Sequence, residues 1–134
     1  MAQAASNSEL KDAFRQHEQQ TRGHVQRLEQ IFKSLNVSSS GETCTGVAGI
    51  IEEGKELMWQ KADHDVLDAG LICGAQKVEH YEIATYGTLR TWARQLGHQE
   101  AARLLEQTLN EEKTTDNTLN RIAESMVNTQ AARR

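Results

Sequence analysis

Four carboxylates on two helical stripes are the side chains whose type and spacing could do chemistry: Glu79 with Glu82, and Glu112 with Asp116. The first pair falls within the series Leu71, Ala75, Val78, Glu82, Tyr86, Leu89, and the second within Leu105, Thr108, Glu112, Thr115, Leu119, Ile122, Met126. Both series recur at the three-and-four spacing of a single helix face, so Glu82 and Glu112 are expected to point into a core. A lone carboxylate there would lose several kcal/mol of hydration or take up a proton. Two that face each other need a cation, a shared proton or a basic partner.

A third stripe, Leu10, Phe14, His17, Thr21, His24, Leu28, Ile31, Leu35, carries two imidazoles on the same face. Neutral imidazole binds iron, zinc and manganese, so His17 and His24 could complete a ligand set; the plainer alternative is that each is satisfied by a neighbouring carboxylate. Tyr81 and Tyr86 could add hydroxyl hydrogen bonds that fix the carboxylates, or simply pack with their hydroxyls at the rim. His80 lies about 100 degrees off the core face, which favours an interface or surface role. Glu111 and Lys113 also fall off the inner stripe and read as a solvated face. Trp59 and Trp92 mark either a contact surface or a mutual packing pair.

The elements that position these groups follow from composition. The chain has 134 residues, only 37% of them hydrophobic and 4% aromatic, and no proline. A thin core of Leu, Ile, Val, Ala and Met in uninterrupted helices fits those limits, so the fold class is all-α. Three long helices and one short one are expected. The first runs from a cap at Asn7 or Ser8 to about Asn36, followed by a turn at residues 37–41. A short helix covers Cys44 to about Gln60, with Val47, Ile50, Ile51, Leu57 and Met58 inward and Gly46, Gly49 and Gly54 explained by close contact with a neighbour. The third starts from a cap at Asp63 or Asp65 and ends at Leu96 before Gly97, and the fourth runs from about Gln99 to Met126.

An antiparallel hairpin at Gly97 and His98 sets the level of each carboxylate. Glu82 lies 15 positions before Gly97 and Glu112 lies 15 after it, so the two are expected at the same height, as are Glu79 and Asp116. The four should form one cluster.

A net charge of -4 argues against non-specific nucleic-acid binding, which needs a clustered basic face. No window has the apolar length of a membrane span, and residues 1–8 lack the pattern of a signal peptide, so a cytoplasmic protein that binds neither nucleic acid nor membrane is expected. Cys44 and Cys73 have no metal-type spacing and are expected to be reduced.

The run Val78-Glu79-His80-Tyr81-Glu82-Ile83-Ala84-Thr85-Tyr86-Gly87-Thr88-Leu89, preceded by Asp68-Ala69 and Ala75-Gln76-Lys77, resembles the YciE/YciF family of ferritin-like stress proteins. His17, Thr21 and Arg27-Leu28, Cys44, Thr108-Leu109, Glu111-Glu112-Lys113 and Thr115-Asp116 extend the resemblance over nearly the whole chain. It implies a single ferritin-like antiparallel bundle over residues 1–134, often dimeric, with a dinuclear iron or manganese site between the helices. On that pattern Glu79, Glu82, Glu112 and Asp116 are the metal ligands, and His17 could stand in for ligands this chain lacks. Two departures stand out. Residues 1–7 resemble only the end of the family's long first helix, and Gln20 stands where the family has Glu, a poor exchange for a highly charged ion.

Two functions follow as expectations. In the first, carboxylates hold iron or manganese and the metal reacts with oxygen or peroxide during stress. In the second, of equal standing for the cofactor, the cluster is metal-free, its carboxylates set helix register, and the chain serves oligomerisation or docking. The shortened first helix should leave an apolar groove that closes by symmetric dimerisation, unless the Cys44 to Gln60 helix fills it.

Overall fold

The computed structural model describes residues 1–134. The protein is all-α: α1 spans Ser8–Ser34, α2 Thr45–Met58, α3 His64–Gln95 and α4 Gln99–Ile122. A π turn, Ala123–Val127, carries α4 into a short α5, Asn128–Ala131, so the last helical rod is about as long as α3. No helix is long and apolar enough to cross a membrane.

Each helix end has a local cause. The Asn7 side chain accepts from the Leu10 amide at 3.0 Å and caps α1, and Asp63 does the same for α3 through the Asp65 amide at 3.0 Å. At the other end of α3, the His98 amide reaches back to the Ala93 carbonyl and the Gly97 amide to that of Arg94, at 2.9 and 3.1 Å. This double closure needs a left-handed residue at its centre, supplied by Gly97 at φ 79°. It reverses the chain within two residues and lays α4 antiparallel against α3. α1 packs on α4, and α2 on α3.

The core is split in two. One apolar cluster joins Leu10 and Phe14 of α1, Leu71, Ile72 and Ala75 of α3, and Leu119, Ile122 and Val127 of the last rod. The other joins Ile31 of α1, Tyr86 and Ala93 of α3, and Leu104, Leu105 and Leu109 of α4. Between them every long helix changes to polar side chains at the same level: His17 and His24, Glu79 and Glu82, Glu112 and Thr115. The helices thus hold a polar layer between two greasy ones, which keeps water scarce at the layer and makes any charge in it costly.

Several residues sit differently from the sequence expectation. The buried face of α3 keeps Leu71, Ala75 and Tyr86 of the expected stripe and adds Asp68, Ile72, Glu79 and Ala93, so Glu79 faces the interior more squarely than Glu82, and Leu89 is left exposed. In the last rod Val127 is fully buried and Met126 only half so, because the π turn takes one residue more than an α turn and rotates the following side chains. On α2, Ile51 is 47% exposed, off the side that meets α3. Of the α2 glycines, Gly46 is a true close approach, where an added Cβ would come within 2.8 Å of the Tyr81 ring; Gly49 touches nothing.

Asp68 carries a fold element that no local pattern announces. Its carboxylate, 2% exposed, accepts from the Ser6 amide and hydroxyl and the Asn7 amide at 2.8, 2.7 and 2.7 Å. Charge-assisted bonds of this kind are about twice as strong as neutral ones. They seat residues 1–5 against α2 and α3, with the Met1 methyl on Gly54 and Gly74 and Ala5 buried. Part of the groove expected beside α1 is filled by this segment of the chain itself.

Candidate metal centre

The polar layer converges on Glu112, which is 0% exposed on α4. His17 reaches it from α1, with its Nε2 3.2 Å from Glu79 Oε1 and its Nδ1 4.0 Å from Glu112 Oε2. Ligand atoms of His17, Glu79 and Glu112 all lie within 4.8 Å of one another, close enough to share one ion. Thr115 Oγ1 sits 3.2 Å from His17 Nδ1 and fixes the ring, and Gln20 approaches Thr115 at 3.4 Å. Glu82 lies beside Glu112, half-buried.

Asp116 is turned away from this group. Its Oδ1 accepts from Gln76 at 3.0 Å and lies 3.2 Å from His80 Nε2 at the rim of the bundle. His80 is therefore a surface residue that pairs with Asp116, its side chain 70% exposed. Tyr81 points the other way, with its hydroxyl 2.9 Å from Cys44 Sγ, whereas Tyr86 is buried with its ring edge-on to His24, centroids 6.3 Å apart. Trp59 and Trp92 are 84% and 57% exposed.

Sequence reading missed the support around His24. Glu111, expected in solvent, accepts from His24 Nε2 at 2.8 Å and from Arg27 through both guanidinium ends at 2.8 and 2.6 Å. The signal was present in the sequence, since Arg27 follows His24 by three residues on a helix and both can reach one acidic partner on a facing rod. Stripe counting discounts residues at the edge of a face, and Glu111 is such a residue.

Electrostatics at the layer are lopsided. Burial, then contact with Glu112 and the charges of Glu112, Glu82 and Asp116, pushes Glu79 up to about 10. Burial and Glu112 push Glu82 up to about 8. Burial also pushes Glu112 upward, but contacts from His24, Glu79 and Glu82 outweigh it and hold Glu112 down to about 2. The apo layer is thus two protonated acids around one carboxylate at neutral pH. Burial lowers His17; it also acts downward on His24, where Glu112 and Glu111 prevail and raise it.

The residues present fit a metal ion. Glu79 Oε2 and both Glu112 oxygens are buried without a hydrogen-bond partner, as is His24 Nδ1. Buried acceptors without partners are rare in folded proteins, and these four belong to one layer. A set of carboxylates and imidazoles suits iron, manganese or zinc.

Comparison with known proteins identifies the family. Residues 1–132 match a family described as a domain of unknown function (DUF892). The chain is 46% identical over 132 residues to Protein YciF of Escherichia coli (strain K12), an alignment covering 98% of this chain and 80% of that protein. The crystal structure of the E. coli stress protein YciF is similar with a TM-score of 0.90, over 95% of this chain and 80% of its own. YcfI from Rhodopseudomonas palustris, 43% identical, has a TM-score of 0.85 over 89% of this chain and 76% of its own.

Proposed function

This chain belongs to the DUF892 family of YciF-like, ferritin-like helical bundles, and from that premise we propose that it is a stress-response protein whose polar layer holds a carboxylate-bridged pair of iron or manganese ions. The observation that carries the reading is Glu112, wholly buried with both oxygens unpartnered and a histidine on each side. Glu79, Glu82 and His17 would be its companions. Asp116 would join by turning from Gln76 and His80, which is a rotation of one side chain at the rim. Iron or manganese, when bound, would supply one-electron chemistry toward oxygen or peroxide. The residues themselves contribute hard oxygen donors, a dry surround and a store of protons on Glu79 and Glu82.

A metal-free reading is favoured by one observation. Carboxyl oxygens of Glu79 and Glu112 lie within 4.8 Å of each other, and Glu79, pushed up by burial, can donate its proton to Glu112 as a buried acid–carboxylate hydrogen bond, fixing the register of α3 against α4. Anaerobic equilibrium dialysis against Fe²⁺ and Mn²⁺ separates the two. Wild-type protein is expected to take up ion in simple stoichiometry and the E79Q/E112Q double variant at least about tenfold less tightly; equal uptake by both would move the ion elsewhere and leave the register role. Elemental analysis of protein purified without added metal gives the resident ion.

As further parts of the proposal, residues 1–134 act as one domain in the cytoplasm, where the free Cys44 and Cys73 stay reduced, and the chain works as a homodimer. Trp59, Trp92 and Leu96, the last 71% exposed, support that partnership.

A further inference from the structure

Resting on the metal reading above, we infer that His24 supplies a second imidazole ligand to the centre, on the Glu112 Oε1 side, and that Arg27 and Glu111 hold its ring for that role. His24 is 2% exposed, and its two nitrogens have different surroundings. Nε2 faces Glu111 Oε2 at 2.8 Å, so that nitrogen carries the N–H and donates it. Nδ1 is buried with no hydrogen-bond partner and lies 3.0 Å from Glu112 Oε1, off the line a hydrogen bond needs.

Nδ1 and Glu112 Oε1 lie too close to stand as two bare acceptors, so a cation belongs between them: a proton in the metal-free protein, where Glu112 and Glu111 raise His24, and the metal ion when it binds. Glu112 therefore faces a histidine with each oxygen: Oε2 toward His17 and Oε1 toward His24. Glu112 thus offers an imidazole neighbour on both sides of its carboxylate.

The support behind His24 is also what a ligand requires. A metal-bound imidazole is oriented by a carboxylate on its far nitrogen, which fixes the tautomer and raises its basicity. Glu111 is that carboxylate. It is clamped by both ends of the Arg27 guanidinium, whose Nη1 is also 3.1 Å from Thr108 Oγ1. Such a fork holds the acceptor in plane. The Tyr86 ring closes the remaining side.

Co²⁺ is the probe. The apo chain is titrated with it, affinity is read from visible absorption, and ligand imidazoles are counted by proton NMR as exchangeable N–H signals shifted by the paramagnetic ion. Wild type is expected to show two such signals, and H17Q and H24Q one each. H24Q should weaken Co²⁺ binding at least about tenfold. E111A leaves both ligands in place; its two signals should persist, with that of His24 exchanging faster with water. One signal in wild type, kept in H24Q and accompanied by unchanged affinity, overturns the assignment while the metal centre stands. Absence of Co²⁺ binding, or equal binding by E79Q/E112Q, overturns the centre and this inference with it.

Discussion

Apparent affinity for a divalent ion is expected to rise at least about a hundredfold per pH unit between roughly pH 5 and 8, because Glu79 and Glu82 must each give up a proton for a centre to fill. Glu82 and Glu79 hold their protons up to about 8 and about 10, whereas Glu112, at about 2, is ionised throughout. An ion arriving at pH 7 meets one carboxylate and two acids. It must displace both acid protons to use those oxygens as ligands, and each proton released adds a factor of ten per pH unit. Above pH 8 Glu82 is already ionised and the dependence should halve on a logarithmic scale. Calorimetric titration of Mn²⁺ in buffers of different ionisation enthalpy counts these protons directly. A count near zero at pH 7 would mean that the bound ion does not use Glu79 and Glu82.

The apo protein should lose stability over the same range, and E79Q should restore it. Both acids have folded-state values raised above the ordinary 4.5. Their contribution is therefore fully present below pH 4.5, where folded and unfolded chains are both protonated. It is lost as pH rises toward 8 and then 10, because the unfolded chain releases protons that the folded chain still binds. One such proton corresponds to a slope of about 1.4 kcal/mol per pH unit, an upper figure that relaxation of the layer reduces. Glu112 acts oppositely, giving up its contribution only as pH falls from 4.5 toward 2. Glutamine at position 79 copies the protonated acid without titrating. At pH 8 and without metal, E79Q should be more stable than wild type by about 1–3 kcal/mol, a shift of several degrees in Tm, with a flatter pH profile. Thermal scans of both proteins with chelator at pH 5 and pH 8 test this, and an E79Q advantage as large at pH 5 as at pH 8 would refute the linkage.

The sequence carried the height of the site better than its inner geometry. Equal spacing about Gly97 puts α3 and α4 carboxylates on one level, since a tight antiparallel hairpin leaves no freedom to slide. The same count misjudges which carboxylate is deepest. Over the 32 residues of α3 a small error in angular period swings the buried line from Glu82 toward Glu79. Asp116 shared the level of Glu79 in the count, but Gln76 and His80 draw its side chain to the rim, and side-chain competition of that kind leaves no trace in periodicity. The Arg27–Glu111 clamp was hidden because both residues flank their stripes. Asp68 was the least legible, since its Ser6 partner lies 62 positions away and only the closed fold brings them together.

The π turn has an evolutionary consequence. Its Asn128 amide bonds to the Ala123 carbonyl five residues back, where a regular helix would reach four. One residue is thus looped into the rod without disturbing what lies on either side, as an inserted amino acid would be if the flanking contacts were kept. Ile122 and Val127 are both fully buried, separated by five positions instead of the four that share an α-helical face. Excising the exposed Ser125 would return Val127 to fourth place after Ile122 and leave α5 where it stands. Excising the equally exposed Asn117, inside regular helix, would turn every later side chain by about 100 degrees and pull Leu119 and Ile122 out of the core. A matched pair of single-residue deletions, compared by thermal melting, should therefore give one near-native protein and one that fails to fold. The π turn is where the last rod can shorten by a residue without its buried face being rewritten.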